Sequence, residues 1–377
     1  MATDKQAITR RTFLGSSLAA SGAFASLGSQ GQEASAPEIK LTAAHVAAVN
    51  RQRHIVVQFD AHTEMGMDID QWLAYRFNYA DEPGSQIDSL WWDIGAFGNA
   101  VYPSKVLEPF AHEGLVKWWD QGIDWVERIV GECRKREIES FWHHRICEVE
   151  TLTQGVGANR ETPHPLKVSH PDWILKTWWK HGLLNLANPE VRDYKLRVLR
   201  EVAENYDFDG MQLDFARHIP VLPPGQQWEL RDHVTDLMRR MRMMLLEVGE
   251  KRGQPFLFAA KVPRTLEGCR VDGFDVARWA QEGLVDIFTL GTRALEVDIA
   301  AYREIVAGRN IKLQPCFDDH HTSDAYQYPP VELFRGTFGN WWQQGADSVY
   351  TFNWSNAAPE VCKAVGARPG PESQRQA

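Results

Sequence analysis

The sequence predicts an α/β chain folded as one closed (β/α)8 barrel, a TIM barrel. Three observations predict it: eight short β-rich runs, amphipathic stretches between them, and polar side chains gathered where the runs end. Parallel strands need a crossover long enough to hold a helix, so strand–helix alternation reads as a parallel sheet. The main competitor is an open, doubly wound sheet. That fold would carry G-x-G-x-x-G after its first strand, and no such motif stands there. No cofactor is therefore expected.

In order, the runs are 54–60, 87–93, 138–145, 208–214, 256–262, 285–290, 311–317 and 348–353. Between them Asn188 is a good N-cap with Pro189 at the first helical position. Val191, Tyr194, Val198 and Val202 then recur at helical spacing as far as Asn205. Asp275 caps a short helix that Gly283 stops, and the stretches 114–136, 227–252, 297–307 and 331–344 read as further helices. After the third run, residues 151–171 form a long polar segment rich in Gly and Pro. A βα loop of that length overhangs the mouth of a barrel, as a lid, a subsite wall or a solvated insertion.

Bulk properties narrow the function. A chain of 377 residues with 44% hydrophobic content buries a large core, and its net charge of −9 supplies no cationic footprint for nucleic acid or an acidic membrane. No apolar run reaches the roughly 20 residues that span a bilayer, so no membrane insertion is expected after signal removal. The N-terminus has Arg10 and Arg11, then Phe13 and Leu14, a weakly apolar stretch, and an A-x-A site at Ala23-Phe24-Ala25. It resembles a twin-arginine export signal, which implies a periplasmic or extracellular protein. The expected division is a signal over 1–25, a spacer over 26–45, the barrel over 46–365 and a disordered tail over 366–377. Five widely spaced cysteines without a C-x-x-C pair indicate buried thiols, neither a disulfide framework nor a zinc knuckle.

Alternate residues of a strand point to opposite sides. In the fourth run, Met211, Leu213 and Phe215 then face the helices, while Gly210, Gln212 and Asp214 face the barrel axis. The seventh run likewise turns Gln314, Cys316 and Asp318 inward. Asp60 and His62 end the first run, His143, His144 and Arg145 the third, Lys261 the fifth, and Asn353 beside Trp354 the eighth; Arg217 follows Asp214 closely. These polar ends converge on the C-terminal face, where barrel enzymes hold their chemistry. Two carboxylates flanking a pocket suit glycosidic bond cleavage, one as nucleophile or base and one as acid. Asp214 takes the first role and Asp318 leads for the second, with Asp319 and Glu148 behind it. Trp91, Trp92 and Trp354, at or near strand ends, are candidate sugar platforms. The substrate-binding candidates are Asp60, His62, Trp92, His144, Arg145, Gln212, Arg217, Lys261, Asn353 and Trp354. No metal ligands are assigned.

The blocks LLNLANPEVRDYKLRVLREVAENYDFDGMQLDFAR and VPRTLEGCRVDGFDVARWAQEGLVDIFTL resemble the glycosyl-hydrolase-like 10 group of barrel glycosidases over most of residues 54–355, most densely over 184–290. The resemblance implies a (β/α)8 fold and action on glycans, and carries over to Asp209 at the base of the fourth strand and Asp214 at its tip. Relatives often carry Arg-x-Asn-Asp after the third strand, where this chain reads Arg145-Ile146-Cys147-Glu148, and Lys261 stands where Arg is common. The D-G-x-x-x-D run also resembles that of chitinases, but the position of their catalytic Glu is Ala216 here. Two rival readings stand beside an exported glycoside hydrolase. One is a carbohydrate-binding barrel without turnover. The other is a metal-dependent hydrolase using Asp60, His62, His143 or His144, and Asp318.

Overall fold

A computed structural model describes residues 39–61, 65–94, 98–110, 112–147, 163–318, 329–352 and 359–364. Eight parallel strands close into a barrel: β1 (Ile55–Asp60), β2 (Ile87–Asp93), β3 (Glu139–Arg145), β4 (Gly210–Asp214), β5 (Leu257–Val262), β6 (Ile287–Leu290), β7 (Lys312–Asp318) and β8 (Val349–Phe352), with β8 pairing back onto β1. Every strand expected from the sequence is present. A two-stranded antiparallel hairpin, Ile174–Leu175 with Leu183–Leu184, follows β3 and was not anticipated.

Asn188 caps the helix Pro189–Asn205 as expected, its side chain accepting the Glu190 N–H at 2.9 Å. Asp275 caps Val276–Gln281 through the Arg278 N–H. The stretch expected as one helix over 114–136 is two, Glu113–Asp120 and Trp125–Lys135. Gly122 lies between them at φ +71°, and Asp124 starts the second by accepting the Val126 and Glu127 N–H groups. A left-handed glycine and a fresh cap outweigh the apolar periodicity that runs through both halves.

Parity separates two cores. Met211, Leu213 and Phe215 belong to the layer between strands and helices, whereas Val56, Trp91, Phe141, Leu257, Ile287 and Tyr350 fill the barrel interior. Gly210 is required by that filling, because a Cβ there would stand 2.3 Å from the Phe141 ring. Beside it, the Asp209 carboxylate accepts the Ser140 N–H at 2.8 Å and so ties the foot of β4 to β3. The acid-glycine pair at the start of the fourth strand is therefore structural.

The barrel's N-terminal end is closed by Arg53, whose guanidinium donates to both Glu139 oxygens at 2.6 and 2.8 Å. The helix Ala43–Val49 begins inside the segment assigned to the spacer: His45 bonds Asp286 at 3.0 Å and Val49 joins the interior cluster. The folded barrel thus starts before residue 46. All five cysteines are buried thiols outside any disulfide. Among the described residues no helix is long and apolar enough to cross a membrane.

Candidate active site

The strand register brings one ring of polar residues to the C-terminal rim. Asp60 pairs with Asp93, Asp93 with His143, Arg145 with Asp214, and Asp214 with Lys261, while Asp318 pairs with Phe352 across the seam. Because their side chains share the inward parity, the ring converges above the apolar interior.

Asp214 is 1% exposed and lies in the middle of this ring. One carboxylate oxygen stands 3.6 Å from Lys261 Nζ and 3.4 Å from His143 Nε2, and the other accepts the Ala216 N–H at 2.8 Å. Burial alone would push its pKa up. The Lys261 charge, the His143 contact and the Ala216 amide outweigh that and hold the carboxyl well below the usual range, so Asp214 is ionised. Lys261 is itself fully buried, its ammonium over the rings of Tyr350 and Phe352 at 5.4 and 5.3 Å.

Gln212 lies one layer below. Its Oε1 accepts from the Tyr350 hydroxyl at 2.8 Å and faces His143 Nδ1 at 2.6 Å, and its amide donates to Thr289 Oγ1 at 2.7 Å. An oxygen that only accepts requires the proton on His143 Nδ1, so a His143 that also donates from Nε2 to Asp214 carries both ring protons. Gln212 is fully buried and committed within this network, so it corrects the expectation of a substrate ligand: it orients His143.

Arg145 ends β3 and joins two carboxylates, meeting Asp60 and, at 2.7 Å, Asp93. Burial, reinforced by the Asp60 carboxylate, pushes Asp93 up to about 7 against the pull of Arg145 and His143. Asp60 retains partial exposure, with 24% of its side chain accessible. Asp318 is fully buried and pairs with Arg293 Nε at 3.3 Å. Arg217 leaves β4 and reaches across to β8, its guanidinium 5.7 Å from the Phe352 ring centre.

Several expected site residues are elsewhere. His144 has the outward parity and lies 3.4 Å from Lys195 on the helix Pro189–Asn205, where burial and that ammonium keep it neutral. Trp92 also points outward, fully buried against Phe77. Trp91 points inward but is sealed in the interior, stacked on Phe141 at 4.2 Å. Neither indole is open to a sugar. His62, Glu148, Asp319, Asn353, Trp354 and most of the long segment after β3 lie outside the described residues. Sequence reasoning passed over Asp93 and Arg293, and also Trp178, which is 71% exposed in the hairpin turn. Its neighbour Trp179 sits edge-on to His218, beside the loop that follows Asp214.

Of the ligands the metal-dependent reading names, His143 and His144 are committed elsewhere, and His62 lies outside the described residues. His143 is engaged by Gln212 and Asp214, His144 faces outward, and among the described residues no three His, Cys, Asp or Glu side chains are grouped to hold an ion.

A model of the family described as glycosyl hydrolase-like 10 matches residues 80–221. The match runs from before β2 to the loop after β4. It contains Asp93, Arg145, Asp214 and Arg217 and stops short of Lys261 and Asp318. The protein described as glycosyl hydrolase DigH of Escherichia coli strain K12 is 27% identical over 135 residues, which are 34% of this chain and 30% of that relative. The DigH of Shigella flexneri gives the same figures. The chain thus aligns with less than a third of the length of these relatives.

Among solved structures, the catalytic domain of chitinase B from Arthrobacter TAD20 superposes with a TM-score of 0.53 at 10% identity, covering 86% of this chain and 97% of that one. Alpha-L-fucosidase isoenzyme 2 from Paenibacillus thiaminolyticus gives 0.52 at 13% identity, over 83% and 48%. At such identities the likeness is one of fold, a (β/α)8 barrel.

Proposed function

We propose that this chain is an exported glycoside hydrolase that cleaves glycosidic bonds in an oligo- or polysaccharide with two carboxyl groups. The observation that carries the reading is the pair of opposed carboxyl environments at one rim. Asp214 is buried yet held ionised, while Asp93, two strands away, is pushed up to about 7. Environments that drive neighbouring carboxyls apart are how one site supplies both an anion and an acid near neutral pH. The family match over residues 80–221 supports a glycan substrate.

In this mechanism Asp214 is the nucleophile or base. Lys261 and the contact from His143 keep it deprotonated, and Gln212 orients the His143 ring. Asp318 is the acid nominated by the sequence, and in that role it gives up its ion pair with Arg293 and carries the proton to the leaving oxygen. A second reading of the donor rests on a specific observation: burial raises Asp93 to about 7, and the partly exposed Asp60 carboxylate beside it can take its proton towards the mouth.

The test is release of new reducing ends from a panel of polysaccharides. The expected outcome is cleavage by the wild type and none by Asp214→Asn, with near-ultraviolet circular dichroism showing the variant folded. Full activity in that variant ends the proposal. Asp318→Asn and Asp93→Asn identify the donor, since the correct one loses activity most on substrates with poor leaving groups. Glycan binding with no product after prolonged incubation supports the non-catalytic reading instead. Residues 1–25 are proposed to direct twin-arginine export. Substituting Lys for both Arg10 and Arg11 then retains the protein in the cytoplasm on fractionation, and unchanged export contradicts this.

A further inference from the structure

Four cations ring the mouth among the described residues, and three are neutralised. Arg145 meets Asp60 and Asp93, Lys261 faces Asp214, and Arg293 pairs with Asp318. Arg217 is the fourth. It makes no hydrogen bond or ion pair with any described residue, and its Nε is buried without a partner. Its guanidinium lies over Phe352, the inward residue at the tip of β8, although its own backbone leaves β4 on the far side of the ring. The side chain therefore turns inward over the opening.

A guanidinium in that position is costly. Burial first, then the like charges of Arg145 and Arg293, push its pKa down from the ordinary value, and Asp214 and Asp60 offset this only in part. Folding explains little of the expense, because among the described residues the guanidinium meets only the Phe352 ring. Arginine presents a planar fork of N–H donors matched to a carboxylate, and a fork left open over a substrate cleft is a recognition element for a ligand oxyanion. The chain's net charge of −9 repels long polyanions at a distance, so the match is to one carboxylate placed by a sugar ring already seated in the mouth.

We propose that Arg217 binds the carboxylate of an acidic sugar residue, such as a uronic acid, in the glycan this barrel accepts. The inference rests on the glycan reading above and narrows it to acidic glycans. The ester of the same sugar lacks the charge but keeps the ring, so it isolates the contact.

The experiment compares D-glucuronate and D-galacturonate with their methyl esters by ligand-observed NMR titration of wild type, Arg217→Gln and Arg217→Lys. The wild type is expected to bind at least one acid about tenfold more tightly than its ester, the scale of a charge-assisted hydrogen bond. Arg217→Gln is expected to erase the difference, and Arg217→Lys to keep part of it. Equal affinity of wild type for acids and esters, or a preference that survives in Arg217→Gln, overturns the proposal. A parallel titration with N-acetylglucosamine 6-sulfate tests the anion, and a preference for it over both carboxylates overturns the carboxylate assignment. Arg217→Gln is expected to melt no lower than wild type, because it removes an unpaired charge; a large loss of melting temperature would reassign Arg217 to folding. Binding is read without turnover, so the two claims fail separately. Cleavage of a neutral glycan with no acid preference removes this inference and leaves the hydrolase standing. Acid preference without cleavage of any glycan does the reverse.

Discussion

Replacing Lys261 with Met tests how the ionised carboxylate is maintained. The two charges lie 3.6 Å apart with both side chains essentially inaccessible. Coulomb's law with an effective dielectric of about 20 gives a gross attraction of about 5 kcal/mol, and removing one partner of a buried pair costs about 3–5 kcal/mol because the other charge is left uncompensated. Lys261→Met is therefore expected to lose about 3 kcal/mol in urea denaturation at pH 7. The sign with pH follows from the direction of the shift. With Lys261 present the folded pKa of Asp214 is depressed, so its contribution is full above the unfolded value, about 3.9, and is lost as pH falls through the folded value. Without Lys261, burial dominates, the folded pKa lies above the unfolded one, and stability is lost as pH rises. The penalty should accordingly shrink from pH 7 towards pH 4. Combined with Asp214→Asn, the pair becomes neutral and the double variant should be more stable than the sum of the singles by about 2–3 kcal/mol. Additivity within about 0.5 kcal/mol, or a penalty independent of pH, would refute the reasoning.

Further expectations concern other parts of the barrel. Gly210→Ala should cost about 1–3 kcal/mol by overpacking the Phe141 ring, with partial recovery when Phe141 is also reduced to Leu, as read from denaturation midpoints. Because burial raises Asp93 to about 7, its contribution to stability is lost as pH rises from about 4 towards 7. Asp93→Asn should therefore raise the melting temperature at pH 8 relative to wild type and leave it little changed at pH 4. Asn188→Ala removes the cap of the helix Pro189–Asn205 and should cost about 1 kcal/mol without changing glycan binding. Trp178→Ala removes an exposed indole in the hairpin turn and should weaken polysaccharide retention in affinity electrophoresis while leaving the melting temperature unchanged.

How much of this was legible depended on what each side chain competes with. The eight strands, the inward parity of Asp214 and Asp318, and the caps at Asn188 and Asp275 follow from period-two alternation and local hydrogen bonding, which act within a few residues. The environment of each inward residue was not local. Trp91 and Trp92 look alike in sequence, and both are buried, one in the barrel and one under the helices, because both faces of a parallel strand are apolar. His143 and His144 split the same way, and only the inward one reaches Asp214. Gln212 looked like a ligand because polar inward residues usually are. The interior of this barrel holds its own network of Tyr350, Gln212, His143 and Thr289, assembled from residues up to 138 positions apart. Asp93 gave no signal, since a terminal Asp also ends strands for reasons of turn chemistry, and its pKa is raised by burial in the closed ring, with Asp60 adding to it.

The claim on which the rest depends is that one rim holds two carboxyls in opposite proton states. Carbon-13 NMR of protein labelled at the aspartate carboxyl carbons, assigned with Asp214→Asn and Asp93→Asn, measures it directly. The account predicts a resonance for Asp214 that stays ionised down to about pH 3.9 and below, and one for Asp93 that titrates near 7. An Asp214 carboxyl that takes up its proton above about pH 5, or an Asp93 already ionised at about pH 4, would contradict it.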